Sequence, residues 1–180
     1  MRLAYPGMVR LPLPETGRPP AFDHPETALA WLQEELPGLE TAIEHAARHG
    51  PRRRAWELAD QLRGFFFLRR ETLPWMATGK AGLAAAEQQE DPQAQTAMHL
   101  TLGQAHWSAG GHAQALHHYR TAQELAERAG WHLANAYLWR GIGLVQGRTR
   151  PARRGGAIVF ALPRNHRGTR LRLRTGRDAQ

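Results

Sequence analysis

Cysteine is absent from the 180 residues, and lysine and serine occur once each, as Lys80 and Ser108. Without cysteine the chain can form neither a disulfide framework nor a thiolate metal site, which is consistent with a reducing compartment. Ser108 belongs to no recognisable nucleophile, base and acid arrangement. Neighbouring carboxylates such as Glu34 and Glu35 point apart on a helix, so they form no acid and base pair. The sequence therefore predicts neither an enzyme nor a cofactor.

Long apolar runs are missing as well. About 18 consecutive apolar residues are needed to cross a membrane as a helix, and no such run occurs. The first twenty residues contain five prolines and no apolar stretch of signal-peptide length. These absences predict a cytoplasmic protein without a membrane partner.

The net charge of +8 is unevenly distributed. Residues 1–146 contain 14 basic and 15 acidic side chains, whereas residues 147–180 contain ten arginines and one acid, Asp178. Arginine outnumbers lysine 23 to one, a bias that a GC-rich genome produces through codon choice alone. The basic tail still supports an alternative function, weak and non-specific nucleic-acid binding through phosphate contacts.

The clearest pattern lies in residues 97–129, where two helical stretches flank a glycine turn. A Leu102-Gly103 pair lies in the first stretch, and Ala115 and Tyr119 recur at helical spacing in the second. Gly103 and Ala115 would let the paired helices approach closely, while Tyr119 fills the space between hairpins. This pattern is typical of a tetratricopeptide repeat. Ile142-Gly143 repeats the pair forty residues later, which is longer than the common period of about 34 residues.

We therefore predict an all-α fold, a tetratricopeptide-like stack of helical hairpins with about seven helices. Residues 1–22 are predicted to be an extended, proline-containing linker, residues 23–147 the repeat domain that carries the core, and residues 148–180 an arginine-rich, largely disordered tail. Within that tail, residues 157–162 could form one strand. The predicted helix starts are at Asp23 and at Asp91-Pro92, and the predicted stops are at Pro37-Gly38, Gly50, Gly110-Gly111 and Gly130.

Three stretches, residues 22–50, 55–71 and 97–119, carry a family resemblance. They resemble the C-terminal tetratricopeptide part of bacterial NB-ARC signal-transduction regulators, which include transcriptional activators of the antibiotic-regulatory-protein type. In that family an element like Ala30-Trp31-Leu32 followed by Glu35 marks the start of the repeats. The family usually continues with an Asn-Leu pair, whereas Gly38-Leu39 stands here. The resemblance implies a repeat region that regulates an ATPase switch or receives a partner in transcriptional regulation.

The ATPase of that family does not come with the resemblance. The only Gly-Lys pair, Gly79-Lys80, has Pro74 where a phosphate-binding loop needs glycine and is followed by Ala81 instead of serine or threonine. We therefore expect the chain to correspond to a detached sensor portion of such a regulator. The family pattern stops near Gly147, and the sequence leaves open whether the tail after it is a frame-shifted extension.

A groove for a protein or peptide partner is predicted on the helix faces that line the concave side in this repeat class. Leu100, Gln104 and Trp107 follow one another by about one turn, and Tyr137 and Arg140 fall in the equivalent register of the next hairpin. Aromatic and arginine side chains are enriched at binding surfaces. The alternative is that Trp107 only packs on the last helix.

The histidines raise the question of a metal site. His99 and His106 share one helical face, and His117 and His118 lie on the next predicted helix, so a site between two helices is conceivable. No carboxylate falls in the same register to complete it. The prediction is therefore that these histidines pack or face solvent, and that no metal binds.

The last predicted helix is apolar on more than one side and has no following helix to cover it. In a repeat stack, terminal repeats need a polar outer face to stay soluble. We therefore expect self-association through this helix or poor solubility, and the alternatives are that residues 157–162 fold back on the helix or that a further regulator domain covers it. The residues concerned are Leu138, Trp139, Ile142, Leu144 and Val145.

Overall fold

A computed structural model of the chain describes residues 9–11, 22 and 24–149. Within these residues the fold consists of six α-helices and contains no strand. Each helix packs on the next, and α2 with α4 and α4 with α6 also pack across hairpins. The predicted all-α stack of helical hairpins is confirmed. The helices are α1 (Pro25–His49), α2 (Arg52–Arg69), α3 (Thr72–Gln88), α4 (Pro92–Ser108), α5 (His112–Arg128) and α6 (His132–Thr149).

The helices begin at a constant spacing. Arg52, Pro92 and His132 begin α2, α4 and α6 at intervals of forty residues, and Thr72 and His112 begin α3 and α5 at the same interval. Residues forty apart therefore occupy equivalent positions on α2, α4 and α6. We call these equivalent positions the repeat register.

The prediction of seven helices is wrong by one, because Pro37-Gly38 does not end the first helix. α1 continues through both residues. A proline inside a helix costs about 3 kcal/mol or more. Burial of one large aliphatic side chain contributes about 1.5–3 kcal/mol, and three are buried in α1: Leu32 and Leu36 before Pro37, and Ile43 after it. The buried stripe of α1 consists of Ala28, Leu32, Leu36, Ile43, Ala46 and Ala47.

The other helix boundaries follow from capping chemistry. Oδ1 of Asp91 accepts hydrogen bonds from the backbone N–H groups of Gln93 and Ala94 at 3.0 and 2.9 Å, so the predicted start of this helix is confirmed. Gly50, Gly110 and Gly130 have φ of 86°, 82° and 64°, a backbone region that favours glycine. The predicted cap Asp23 lies outside the described residues. The N-cap position of α1 is His24, whose side chain makes no capping hydrogen bond.

Tyr119 of α5 packs against glycines of two other helices. A Cβ atom added to Gly103 of α4 would lie 2.6 Å from Cδ1 and Cε1 of Tyr119, and one added to Gly141 of α6 would lie 3.0 Å from its Cζ. The close approach predicted at Gly103 is therefore confirmed. On α6 this role belongs to Gly141 and not to Gly143, where an added Cβ would have no atom within 4 Å. Ala115, the other small residue predicted at this contact, is fully buried.

The core contains two hydrophobic clusters. The first joins α1, α2, α3 and the start of α4 around Trp56, Phe66 and Trp75. The second joins α4, α5 and α6 around Leu100 and Tyr119. Trp56 and Trp75 are buried, whereas Trp31 of α1 is 39% exposed.

Residues 9–11 are part of this core, although the sequence predicted a linker. Val9 belongs to the second cluster and Leu11 to the first, and both are at least nine-tenths buried. The prediction that the core begins at residue 23 is therefore wrong for these two side chains. The other residues of the predicted linker, except Phe22, lie outside the described residues. So does the tail from residue 150 onward with its predicted strand at 157–162.

Candidate partner groove

A hollow that is partly open to solvent is lined by residues of α2, α4, α5 and α6. The five residues predicted for the groove all line it: Leu100, Gln104, Trp107, Tyr137 and Arg140. Its wall is completed by Phe67, Tyr119, Gly141 and Leu144. The structure thus brings the predicted residues together at one place. That they bind a partner stays a prediction.

The repeat register explains why these side chains meet. Phe67 precedes Trp107 by forty residues, and both line the hollow. Leu100 and Arg140 form a second such pair. Sequence reasoning did not single out Phe67, although its spacing to Trp107 is a signal that could have identified it.

Polar groups are few in the hollow. Nε2 of Gln104 donates a hydrogen bond to the hydroxyl of Tyr137 at 3.0 Å, and the guanidinium of Arg140 lies 4.7 Å from the centre of the Tyr137 ring. Gln104 is only 6% exposed, and its Oε1 accepts no hydrogen bond within the described part of the chain. Burial raises the pKa of Tyr119, so its phenol stays neutral. The hollow therefore combines apolar walls, one buried acceptor and one cation at the surface.

A second polar feature lies on α2. Asp60 and Arg63 are both fully buried, and Nη2 of Arg63 lies 3.2 Å from Oδ1 of Asp60. Oδ2 of Asp60 accepts a hydrogen bond from the backbone N–H of Leu11 at 3.0 Å, and Nη2 of Arg63 donates to the backbone C=O of Val9. The pair thus holds two backbone groups that are two residues apart, and in an extended chain such groups point the same way. We call Asp60 and Arg63 the main-chain clamp.

The main-chain clamp lies in the same repeat register as the hollow. Asp60 precedes Leu100 by forty residues and Arg140 by eighty, and both of those residues line the hollow. Arg63 precedes Gly103, which contacts Tyr119, by forty. Sequence reasoning missed the clamp. Its signal is a pair of opposite charges three residues apart in the otherwise mostly apolar stretch 55–67.

Three of the histidines considered for a metal site come together between α4 and α5. Nδ1 of His99 lies 3.0 Å from Nδ1 of His118, and the His106 ring is stacked on the His118 ring at 5.3 Å. Burial lowers the pKa of both His99 and His118 to about 4, with neighbouring histidines adding to the effect. No group of three or more histidine or carboxylate side chains among the described residues could hold a metal ion. The neutral rings pack on one another.

The last helix is covered only in part. Of the five apolar residues named for self-association, Leu138, Ile142 and Val145 are buried, whereas Trp139 and Leu144 are 61% and 45% exposed. Self-association through α6 therefore stays a prediction that rests on two of those five residues.

None of the helices that the structure describes has the length and apolarity needed to cross a membrane. No protein-family model, curated protein or solved structure matches the chain.

Proposed function

We propose that this protein is a non-catalytic interaction scaffold whose hollow binds a protein or peptide partner. The observation that supports it is the convergence of Leu100, Gln104, Trp107, Tyr137 and Arg140 on one hollow. Tryptophan, tyrosine and arginine are the residue types that dominate binding energy at protein interfaces. The hollow offers all three beside buried aliphatic surface.

The chemistry of the hollow suits a particular side-chain arrangement in the partner. The apolar walls of the hollow favour an apolar or aromatic anchor from the partner. Arg140 is exposed at the same place and would pair with a carboxylate next to the anchor.

The resemblance to NB-ARC regulators supports a place for the scaffold in cytoplasmic signal transduction and transcriptional regulation. In this proposal the repeats receive a partner and carry no chemistry of their own. Exposed Trp139 and Leu144 on α6 support self-association as an additional interaction.

A random peptide display library, panned against the full chain, tests the role of the hollow. We expect enriched peptides to contain a large apolar residue near an acidic one, and to lose about tenfold or more in affinity for Trp107→Ala or Arg140→Gln. Trp139→Ala is the matched control, because Trp139 is exposed and does not line the hollow. Peptides that bind all of these variants equally would contradict the proposal.

Non-specific nucleic-acid binding through the tail is the alternative, and the ten arginines of residues 147–180 favour it. Binding to unrelated duplexes should then be equal, should weaken steeply with salt, and should vanish when residues 148–180 are deleted. A preference for one duplex sequence that survives the deletion would argue against this alternative.

A further inference from the structure

Residues 9–11 occupy the main-chain clamp in the way a bound peptide would. Val9 and Leu11 are buried, whereas Arg10 between them is half-buried and donates from Nη1 to Oε1 of Gln61 at 3.2 Å. This alternation is that of an extended chain. The clamp contacts the C=O of Val9 and the N–H of Leu11, which are groups that every peptide carries. Any extended segment with apolar side chains two residues apart presents the same C=O group, N–H group and pair of apolar side chains.

The main-chain clamp needs an occupant at all times. A buried ion pair is tolerated only when further hydrogen bonds satisfy its atoms. Nε and Nη1 of Arg63 already lack partners within the described residues, so loss of the Val9 carbonyl would leave the guanidinium with Asp60 alone. Departure of residues 9–11 is therefore costly unless another segment with the same backbone groups takes their place.

The segment held by the main-chain clamp packs on the same hydrophobic cluster as the hollow. Val9 belongs to the same hydrophobic cluster as Leu100 and Tyr119, which line the hollow, and Trp107 and Tyr137 pack against that cluster. Leu11 belongs to the other cluster. Val9 and the wall of the hollow therefore share one hydrophobic cluster.

We propose that residues 9–11 are an intramolecular occupant, and that an extended partner peptide with apolar side chains two residues apart displaces them from the main-chain clamp. The proposal rests on the proposed function, since it names the class of partner for the same groove. It also gives residues 9–11 a regulatory role in partner binding. A tethered occupant competes at a high effective concentration, so the chain's own segment lowers the apparent affinity for the partner.

Competition with a labelled peptide tests this directly. The probe is a fluorescent peptide corresponding to residues 6–14, and its binding to the full chain is measured by anisotropy. The double variant Val9→Ser and Leu11→Ser should bind the probe about tenfold or more tightly than the parent chain, because its own segment competes less well. Leu133→Ser is the matched control. Leu133 is 65% exposed on α6, so this variant should bind the probe like the parent chain.

A change in the peptide alone tests the backbone contacts without touching the fold. N-methylation of the probe at the position of Leu11 removes the N–H that Asp60 accepts, and binding to the double variant should fall about tenfold or more. N-methylation at the position of Leu13, outside the clamped residues, should have a much smaller effect. Circular dichroism checks that the double variant is folded, and if it is not, the milder pair Val9→Ala and Leu11→Ala replaces it.

Equal probe binding by the parent chain and the folded double variant would overturn the inference. Equal loss from the two N-methylated probes would overturn it as well. The proposed function is judged separately, by the sensitivity of display-selected peptides to Trp107→Ala. Peptides that depend on Trp107 but bind the parent chain and the double variant equally would leave the scaffold standing and remove the intramolecular occupant.

Discussion

On α2 the repeat register carries Asp60 and Arg63, and residues 9–11 cover them. On α4 and α6 the position of Asp60 is taken by Leu100 and Arg140, which border a hollow that is partly open to solvent. Helices with the same spacing therefore present a filled, charged site in one half of the stack and an open, aromatic site in the other. The fold therefore sets where a side chain lies, while the residue type decides whether the site needs a permanent occupant.

The largest expected effect on stability distinguishes Arg63 of the main-chain clamp from Arg140 of the hollow. Arg63→Met leaves Asp60 buried without its cation, which typically costs about 3–5 kcal/mol of unfolding free energy. Arg140→Met removes an exposed charge and should change stability by less than about 0.5 kcal/mol. Urea unfolding followed by circular dichroism measures both. Similar losses of unfolding free energy in the two variants would contradict the distinction between the filled main-chain clamp and the open hollow.

Packing around Tyr119 gives the next largest effect, within the open half. Gly103→Ala places a methyl group 2.6 Å from the Tyr119 ring, and overpacking of this kind typically costs about 1–3 kcal/mol. Gly143→Ala is the matched control in the same register, because an added Cβ there has no atom within 4 Å. It should leave stability unchanged or raise it by up to about 1 kcal/mol. Thermal unfolding that ranks the two variants in the opposite order would refute the packing assignment.

Acid should destabilise the half that contains His99 and His118. Their pKa is lowered to about 4 in the fold, mainly by burial, whereas histidine in an unfolded chain titrates near pH 6.5. Between these values the unfolded state binds more protons, so stability falls as the pH is lowered from about 6.5 to 4.

The check is the thermal midpoint between pH 7 and 4.5, which we expect to fall by several degrees. His118→Gln should reduce this dependence, whereas His117→Gln, at an exposed position, should reduce it less. A midpoint that is constant over this range would show that these rings are not held neutral by the fold.

The smallest expected effect on stability is a stabilising one, and it concerns Gly38 in α1. Gly38 lies inside α1, and an added Cβ would have no atom within 4 Å. Gly38→Ala should raise the unfolding free energy by about 0.5–1 kcal/mol, because alanine loses less backbone freedom in a helix. Gly110→Ala is the contrasting control, since φ is 82° there and alanine would be strained. Destabilisation by Gly38→Ala would show that α1 does not continue through Pro37 in solution.

Local chemistry predicted the helices where the signals act over a few residues. Asp91 caps α4, Gly110 and Gly130 end helices, and Gly103 leaves room for Tyr119. Pro37 misled the prediction because its local cost is exceeded by burial along α1, which depends on contacts with α2 and α3. A single-residue signal loses to tertiary packing when enough apolar surface is buried on both sides of it.

The candidate groove could be predicted in part for a similar reason. Its residues on α4 and α6 follow from helical spacing and the forty-residue repeat, and they line the hollow together. The main-chain clamp could not be predicted, because it depends on residues 9–11 meeting Asp60 and Arg63 about fifty positions away. Contacts at that separation are set by the path of the chain, and the prolines near residue 9 indicated only an extended linker.

The groove residues come from helices that begin at a constant spacing, so the groove is sensitive to the insertion of a single residue. One residue added in the middle of α4 would rotate the rest of that helix by about 100°, turning Trp107 away from the hollow while Phe67 on α2 stays in place. One residue added at Gly110-Gly111 would leave both neighbouring helices unrotated within themselves. Insertions and deletions should therefore accumulate at the glycine turns during evolution. Inside a helix, insertion of one residue is enough to change which side chains line the groove.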